Sequence, residues 1–164
     1  MELMELGWID RLPRMAVIQA AGANPLYQSW VSGQDVEPMT AETIATAIRI
    51  GNPVSWRKSL RGVRASGGLV EQVTDAEILD AKSQVDAAGI GAEPASCATV
   101  AGIHKLVAAG TIRADDHVVG VLTGHLLKDP DVVVNYHRSD AAHANPPVPC
   151  AATVPAVLEA LGLS

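Results

Sequence analysis

The feature that most constrains this 164-residue chain is an alternation: short apolar runs of strand composition, running into or set off by loops of small residues, are separated by stretches with helical punctuation. Arg14-Met-Ala-Val-Ile-Gln19 is the first run and stops in Ala20-Ala-Gly-Ala-Asn-Pro25. Leu69 to Val73 is the second, introduced by Ser66-Gly67-Gly68. His117-Val-Val-Gly-Val-Leu122 is the clearest, a near-continuous apolar run of the kind buried on both faces of a parallel sheet, leading straight into Thr123-Gly124-His125. Between the first two runs, residues 26–38 read as connection and Ala41 to Ile48 as helix. Gly51-Asn52-Pro53 breaks that helix, with Pro53 suited to the first turn of another over about 54–65. Thr74-Asp-Ala-Glu77 is a capping box, opening a helix with Ile78, Ala81, Val85 and Ala88 as its apolar stripe. Gly89-Ile-Gly-Ala92 is a short apolar stretch before Glu93-Pro94, where the proline opens a helix to about Ala109 with Val100, Ile103, Leu106 and Val107 inward. The alternation predicts an α/β fold, an open and mostly parallel sheet with helices on both faces and right-handed crossovers.

Composition narrows the function classes. Twelve Lys and Arg face 18 Asp and Glu, a formal charge of −6, and the aromatic content is three Trp, two Tyr and no Phe. A nucleic-acid binder needs a basic face and usually rings on which bases stack, so that class is excluded. No window approaches the roughly 18 apolar residues of a membrane span. The start MELMELGWID lacks the basic region of a signal peptide, which predicts a cytoplasmic protein away from membranes. Cys97 and Cys150 form no CxxC pair and read as free thiols. Residues 1–138 are expected to form one α/β domain, and 139–164 a linker, Asn145-Pro-Pro-Val-Pro149, followed by a short helix over Val154 to Leu163.

Ligands of open α/β sheets sit outside the carboxyl ends of the strands. The Ala20–Pro25 loop, the Thr123–His125 loop and Glu93 are expected to converge there. Each admits two readings. The backbone of the small-residue loop can approach a planar or anionic ligand closely, or simply turn the chain. The Thr123 hydroxyl can hydrogen-bond a ring nitrogen or cap a turn. Glu93 can line a polar pocket or favour a helix N-terminus through the dipole. Arg57, Arg61 and Arg64 share a helix face near Lys58, which is either a phosphate site or a solvated surface. The five histidines show no metal-ligand spacing, and no GxSxG motif is present. Cys97, early in a helix, is either an activated thiol or a buried structural one.

A set of strings in order carries further: Arg11-Leu-Pro-Arg-Met15, Gln19-Ala-Ala-Gly-Ala23, Thr43-Ile-Ala-Thr-Ala-Ile-Arg-Ile-Gly-Asn-Pro53, Ser55-Trp56, Ser66-Gly-Gly68, Val73-Thr-Asp-Ala-Glu-Ile-Leu79, Glu93-Pro-Ala-Ser96 and Leu122-Thr-Gly-His-Leu-Leu-Lys-Asp-Pro130. Together they closely resemble threonine synthase, over about residues 9–137, corresponding to the C-terminal portion of that enzyme. The resemblance implies the C-terminal part of a fold-type II pyridoxal-phosphate enzyme of the tryptophan-synthase-β class, and the conversion of O-phosphohomoserine and water to threonine and phosphate. It implies that Thr123 gives its hydroxyl to the pyridine nitrogen of the cofactor, while Glu93 and the backbone around Ala21 and Gly22 line its ring edge. A neutral hydroxyl opposite that nitrogen does not enforce protonation as an aspartate would, which suits an ordered series of proton shifts.

The resemblance also implies what is missing. The Schiff-base lysine, the asparagine beside the ring and the phosphate loop lie upstream in the family, and none of Lys58, Lys82, Lys105 or Lys128 sits in a matching motif. Met1 falls where the family has the middle of a helix. The chain alone is therefore expected to be inactive, to need the missing N-terminal half, to belong to a homodimer in the intact enzyme, and to expose apolar surface where the other half packs. Leu126 stands where the family commonly has glycine, which predicts crowding in that loop. Two other readings remain: a non-catalytic truncated homologue that binds a ligand or partner, and another fold-type II lyase such as a threonine dehydratase.

Overall fold

Two β-branched, alternating segments find each other across 50 residues of chain and fix the centre of the fold. The computed structural model describes residues 2–163. Strand β1 (Ala16–Ala20) runs parallel to β2 (Leu69–Val73), with Ala16 opposite Leu69 and Ala20 opposite Val73. Side chains alternate across such a ladder. Ile18, Ala20 and Val73 therefore enter one apolar cluster, and Val17 and Val70 another. Helices α4 (Asp75–Ala87) and α5 (Pro94–Ala108) supply the first cluster through Ile78, Ala81, Val85, Cys97, Ala98 and Ala101. Helices α2 (Pro25–Ser32) and α3 (Trp56–Ala65) supply the second through Leu26, Leu60 and Val63. The predicted α/β architecture, a parallel sheet with helices on both faces, is what the structure shows, on a sheet of two strands. A single turn, α1 (Glu2–Glu5), precedes it.

Contacts divide the chain into two units, residues 1–129 and 130–164. The second holds α6 (Pro130–His137) and α7 (Val154–Ala160), with the Asn145–Pro149 stretch irregular between them. Among the described residues no helix is long and apolar enough to cross a membrane.

Several local expectations give way. Residues 26–38 are not all connection, because Pro25 at the first position and Gly33 in a left-handed conformation frame α2. Its N-terminus is satisfied from the sheet, where the Gln19 Oε1 atom accepts the Leu26 and Tyr27 N–H groups at 2.9 and 3.0 Å. Ala41 to Ile48 is not a helix; only a 3-10 turn forms over Thr46–Ile48. Asp75, in the first turn of α4, takes the Thr43 hydroxyl and the Ile44 N–H onto its carboxylate, and the Glu42 N–H goes to the Gly22 carbonyl. Those tertiary bonds outcompete a helix through two β-branched residues. Pro53 lies before α3 rather than in its first turn, its carbonyl accepting from Trp56 N–H. The inward face of α5 is carried by Ala98, Ala101, Gly102 and Leu106, while Val107 and Ala88 are exposed.

The largest departure is His117–Leu122, which forms no strand. Val119 is 87% exposed and Val121 65%. A strand needs a hydrogen-bonded neighbour, and among the described residues this run has none; it lies instead along α5, where the Thr99 hydroxyl donates to the Val121 carbonyl at 3.4 Å. Its apolarity marked a segment that demands burial, not a partner able to supply it.

The predicted capping box is present: Thr74 Oγ1 accepts from Glu77 N–H at 3.2 Å and Glu77 Oε2 from Thr74 N–H at 2.6 Å. Cys97 is fully buried in the first cluster. Burial pushes its thiol up to about 11, with Lys82 pulling the other way and Asp86 and Glu93 adding to the rise. Of its two sequence readings, the structural thiol holds.

Two outcomes follow from these contacts. Asp75→Ala strands the Thr43 hydroxyl and the Ile44 N–H and should lower unfolding free energy in urea by about 1–3 kcal/mol, with Asp75→Asn costing less. An aromatic disulfide reagent at pH 8 should titrate one thiol per native chain, the exposed Cys150, and two in denaturant. Because the native Cys97 thiol is raised above its unfolded value, its contribution to stability is complete below pH 9 and fades as pH climbs toward about 11.

Candidate functional site

The site is built at the N-terminus of α5. Glu93 is its N-cap residue and Pro94 its first position, and Ser96 sits in the first turn. Ser96 Oγ accepts two backbone N–H groups, from Thr123 and Gly124, each at 3.1 Å. Glu93 N–H donates to the Gly124 carbonyl at 3.1 Å, and Ala92 pairs with His125 in an antiparallel bridge. Two segments 30 residues apart are thereby locked together. Gly124 is required by this closeness, since a Cβ there would lie 1.9 Å from Glu93 Oε1. Leu126 finds room because residue 91 is glycine; a Cβ on Gly91 would lie 2.7 Å from Leu126 Cδ2.

The loop's far end is tied as firmly. The Asp129 carboxylate accepts from the Thr46 N–H at 3.2 Å and from its hydroxyl at 2.9 Å. Asp129 has a φ of 54°, the only positive value at a non-glycine among the described residues. Such a backbone costs about 1–3 kcal/mol.

Beneath the loop lies a cavity of about 270 Å³, lined on one side by Ala16 and Ile18 of β1, on another by Ala47 and Ile48 of the 3-10 turn, and by Glu93, Ser96, Thr99 and Thr123. That is the small end of the range for ligand pockets, roughly 300–1,000 Å³. Of the residues singled out from sequence, Glu93 and Thr123 meet here. Ala21 and Gly22 do not line it: Ala21 N–H extends the ladder to the Val73 carbonyl, and a Cβ on Gly22 would lie 1.8 Å from the Glu42 carbonyl oxygen. The close backbone approach the small-residue loop allows is thus used by the chain itself. Arg57 pairs with Asp35 at 3.2 Å and lies over Trp56, so the α3 stripe is partly engaged on the surface. Ser96, Lys128 and Asp129 were not singled out from sequence as site residues, although each stands inside a quoted string.

Glu93 is 4% exposed. Its Oε2 lies 3.1 Å from the Lys128 ammonium, paired by charge and not by a hydrogen bond. Two further lysines are engaged elsewhere: Lys82 is buried against Asp86, and Lys105 donates to the Gln72 carbonyl beside Glu71. No lysine lines the cavity. A buried carboxylate with one oxygen lacking a hydrogen-bond donor, a hydroxyl-bearing residue at the fastened end of the loop and an apolar floor fit one edge of a planar heteroaromatic ligand. Neither a lysine amine nor a cysteine thiol is among the lining residues. Among the described residues no cluster of His, Cys, Asp and Glu is disposed to hold a metal.

Residues 2–124 match the family described as "Pyridoxal-phosphate dependent enzyme". The chain is 51% identical over 137 residues to the threonine synthase of Methanosarcina acetivorans, covering 82% of this chain and 34% of that protein. It is 47% identical over 131 residues to that of Methanocaldococcus jannaschii, covering 78% and 32%. With the threonine synthase of Mycobacterium tuberculosis it shares 42% over 164 residues, covering 99% and 42%. The chain thus spans 32–42% of the length of these relatives, matching their C-terminal portion. With three quarters of its length matched by the family, the chain belongs to the pyridoxal-phosphate-dependent enzymes of fold type II.

Proposed function

We propose that this chain supplies the C-terminal portion of the cofactor-binding domain of a threonine synthase, which converts O-phosphohomoserine and water to threonine and phosphate. The observation that carries the reading is the junction of Glu93 and Thr123 at the N-terminus of α5 over one cavity, in the strings that resemble threonine synthase. Residues 1–138 are the proposed partial cofactor domain and 139–164 its linker and terminal helix. A cytoplasmic location and a homodimer in the intact enzyme belong to the same proposal.

Pyridoxal phosphate, when bound, supplies an electron sink for carbon–hydrogen bond cleavage next to the amino group. Thr123 is assigned to the pyridine nitrogen, where its hydroxyl donates or accepts a hydrogen bond without forcing a charge. Glu93 forms the ring-edge wall, buried and paired by charge with Lys128. Ala21 and Gly22 join this set on the family motif alone. Ser96 holds the Thr123 backbone, so the hydroxyl is positioned by α5 rather than by a free loop. The lysine and the phosphate-binding loop are assigned to the portion of the relatives that lies outside the matched length. The exposed apolar side chains of Val54, Val119 and Val121 favour a partner surface of that kind. The second reading is a truncated homologue acting as a ligand- or partner-binding module without catalysis.

Titration of the chain with pyridoxal phosphate, alone and with the N-terminal portion of a threonine synthase, followed by borohydride reduction and peptide mapping, separates the two. The expected result is a pyridoxyl adduct on the added portion's lysine, with threonine formed only by the mixture. A folded mixture with neither result fits the binding module instead. In the active mixture, Thr123→Val should weaken cofactor retention about two- to tenfold, the worth of one net hydrogen bond.

A further inference from the structure

We infer that Asp129 is a positioning residue: its carboxylate, clasped to Thr46, holds the Thr123–Asp129 loop in place over the cavity and thereby places Thr123. The inference about loop geometry stands on the structure; its importance for a cofactor rests on the reading above.

The loop is fastened at both ends and nowhere relaxed. At one end Ser96 Oγ holds the Thr123 and Gly124 N–H groups. At the other, Asp129 takes a φ of 54° while preceding Pro130, and a proline drives the residue before it toward extended backbone. An L-residue in that place is strained, and Asp and Asn tolerate it better than most. The compensation visible in the structure is the set of bonds from Thr46, whose N–H reaches one carboxylate oxygen at 3.2 Å and whose hydroxyl lies 2.9 Å from both. Thr46 opens the 3-10 turn, and the next two residues, Ala47 and Ile48, line the cavity. One side chain therefore joins the loop bearing Thr123 to the opposite cavity wall. Between the two fastenings lie the Ala92–His125 bridge and the Lys128–Glu93 ion pair, both of which need the loop at its present height. Without the carboxylate the backbone at 129 has reason to relax, and the slack runs back toward Thr123.

Amide hydrogen exchange on the purified chain tests this without any cofactor. Asp129→Ala and Asp129→Gly should speed exchange of the Thr123 and Gly124 amides at least tenfold while leaving the β1–β2 ladder unchanged. Asp129→Asn, which tolerates a positive φ and retains one acceptor, should restore most of the protection. Thr46→Val, which loses the hydroxyl but keeps the backbone N–H to Asp129, should speed exchange part of the way toward Asp129→Ala, and the double variant should be no faster than Asp129→Ala alone. Unchanged exchange at Thr123 and Gly124, or acceleration spread equally over the ladder, overturns the inference. Failure of the cofactor titration with this exchange pattern intact removes the functional reading and leaves the clasp standing.

Discussion

The parallel pairing of β1 with β2 is the constraint from which the rest follows. Once Ala16 lies opposite Leu69, the two-residue period sorts every strand side chain to one helix layer or the other. Ile18, Ala20 and Val73 must meet small residues, and α5 offers them Ala98, Ala101 and Gly102. A Cβ on Gly102 would lie 2.5 Å from the Ile18 side chain, so α5 can ride this close to the sheet only because that position is glycine. The helix then brings its N-terminal turn, with Glu93 and Ser96, to the edge of β1. The cavity is the space left between that turn, the strand and the 3-10 segment.

Polar groups fix what apolar packing leaves loose. Asp75 and the Gly22 carbonyl hold residues 42–44 against the β1–α2 turn, Gln19 completes the start of α2, and Ser96 gathers the 123–125 loop. Each is a side chain or carbonyl that reaches across the chain to backbone groups which would otherwise go unsatisfied. The candidate site is therefore a consequence of hydrogen-bond accounting as much as of burial.

Much of this was legible in sequence, and the parts that were not share a cause. Both strands, the capping box at Thr74 and the proline-opened α5 follow from local period and cap chemistry; Glu93 and Thr123 meet at the cavity as expected, but through Ser96 at the start of α5 and not at strand ends, since neither follows a strand. What failed depended on partners far along the chain. Residues 41–48 look helical until Asp75 claims Thr43 and Ile44. His117–Leu122 looks like a buried strand because its composition records a buried destiny, and composition does not say whether the burying surface lies in the same chain. Helix α2 was missed because its N-terminal satisfaction comes from Gln19 on the neighbouring strand rather than from its own cap residue, Asn24. Asp129 was invisible for the same reason: a strained backbone and its compensating threonine are 83 residues apart.

The central claim is that Glu93 and Thr123, joined at the N-terminus of α5, form one face of a cofactor site completed by another portion of polypeptide. Its most direct test is a backbone nuclear magnetic resonance map of the labelled chain, recorded with pyridoxal phosphate and an unlabelled N-terminal portion of a threonine synthase. The account predicts shifts of the Glu93, Ser96, Thr123 and Gly124 amides that change together on adding the cofactor to the assembled pair. Binding with shifts confined to the arginine face of α3, or assembly in which those four amides do not respond, would contradict it.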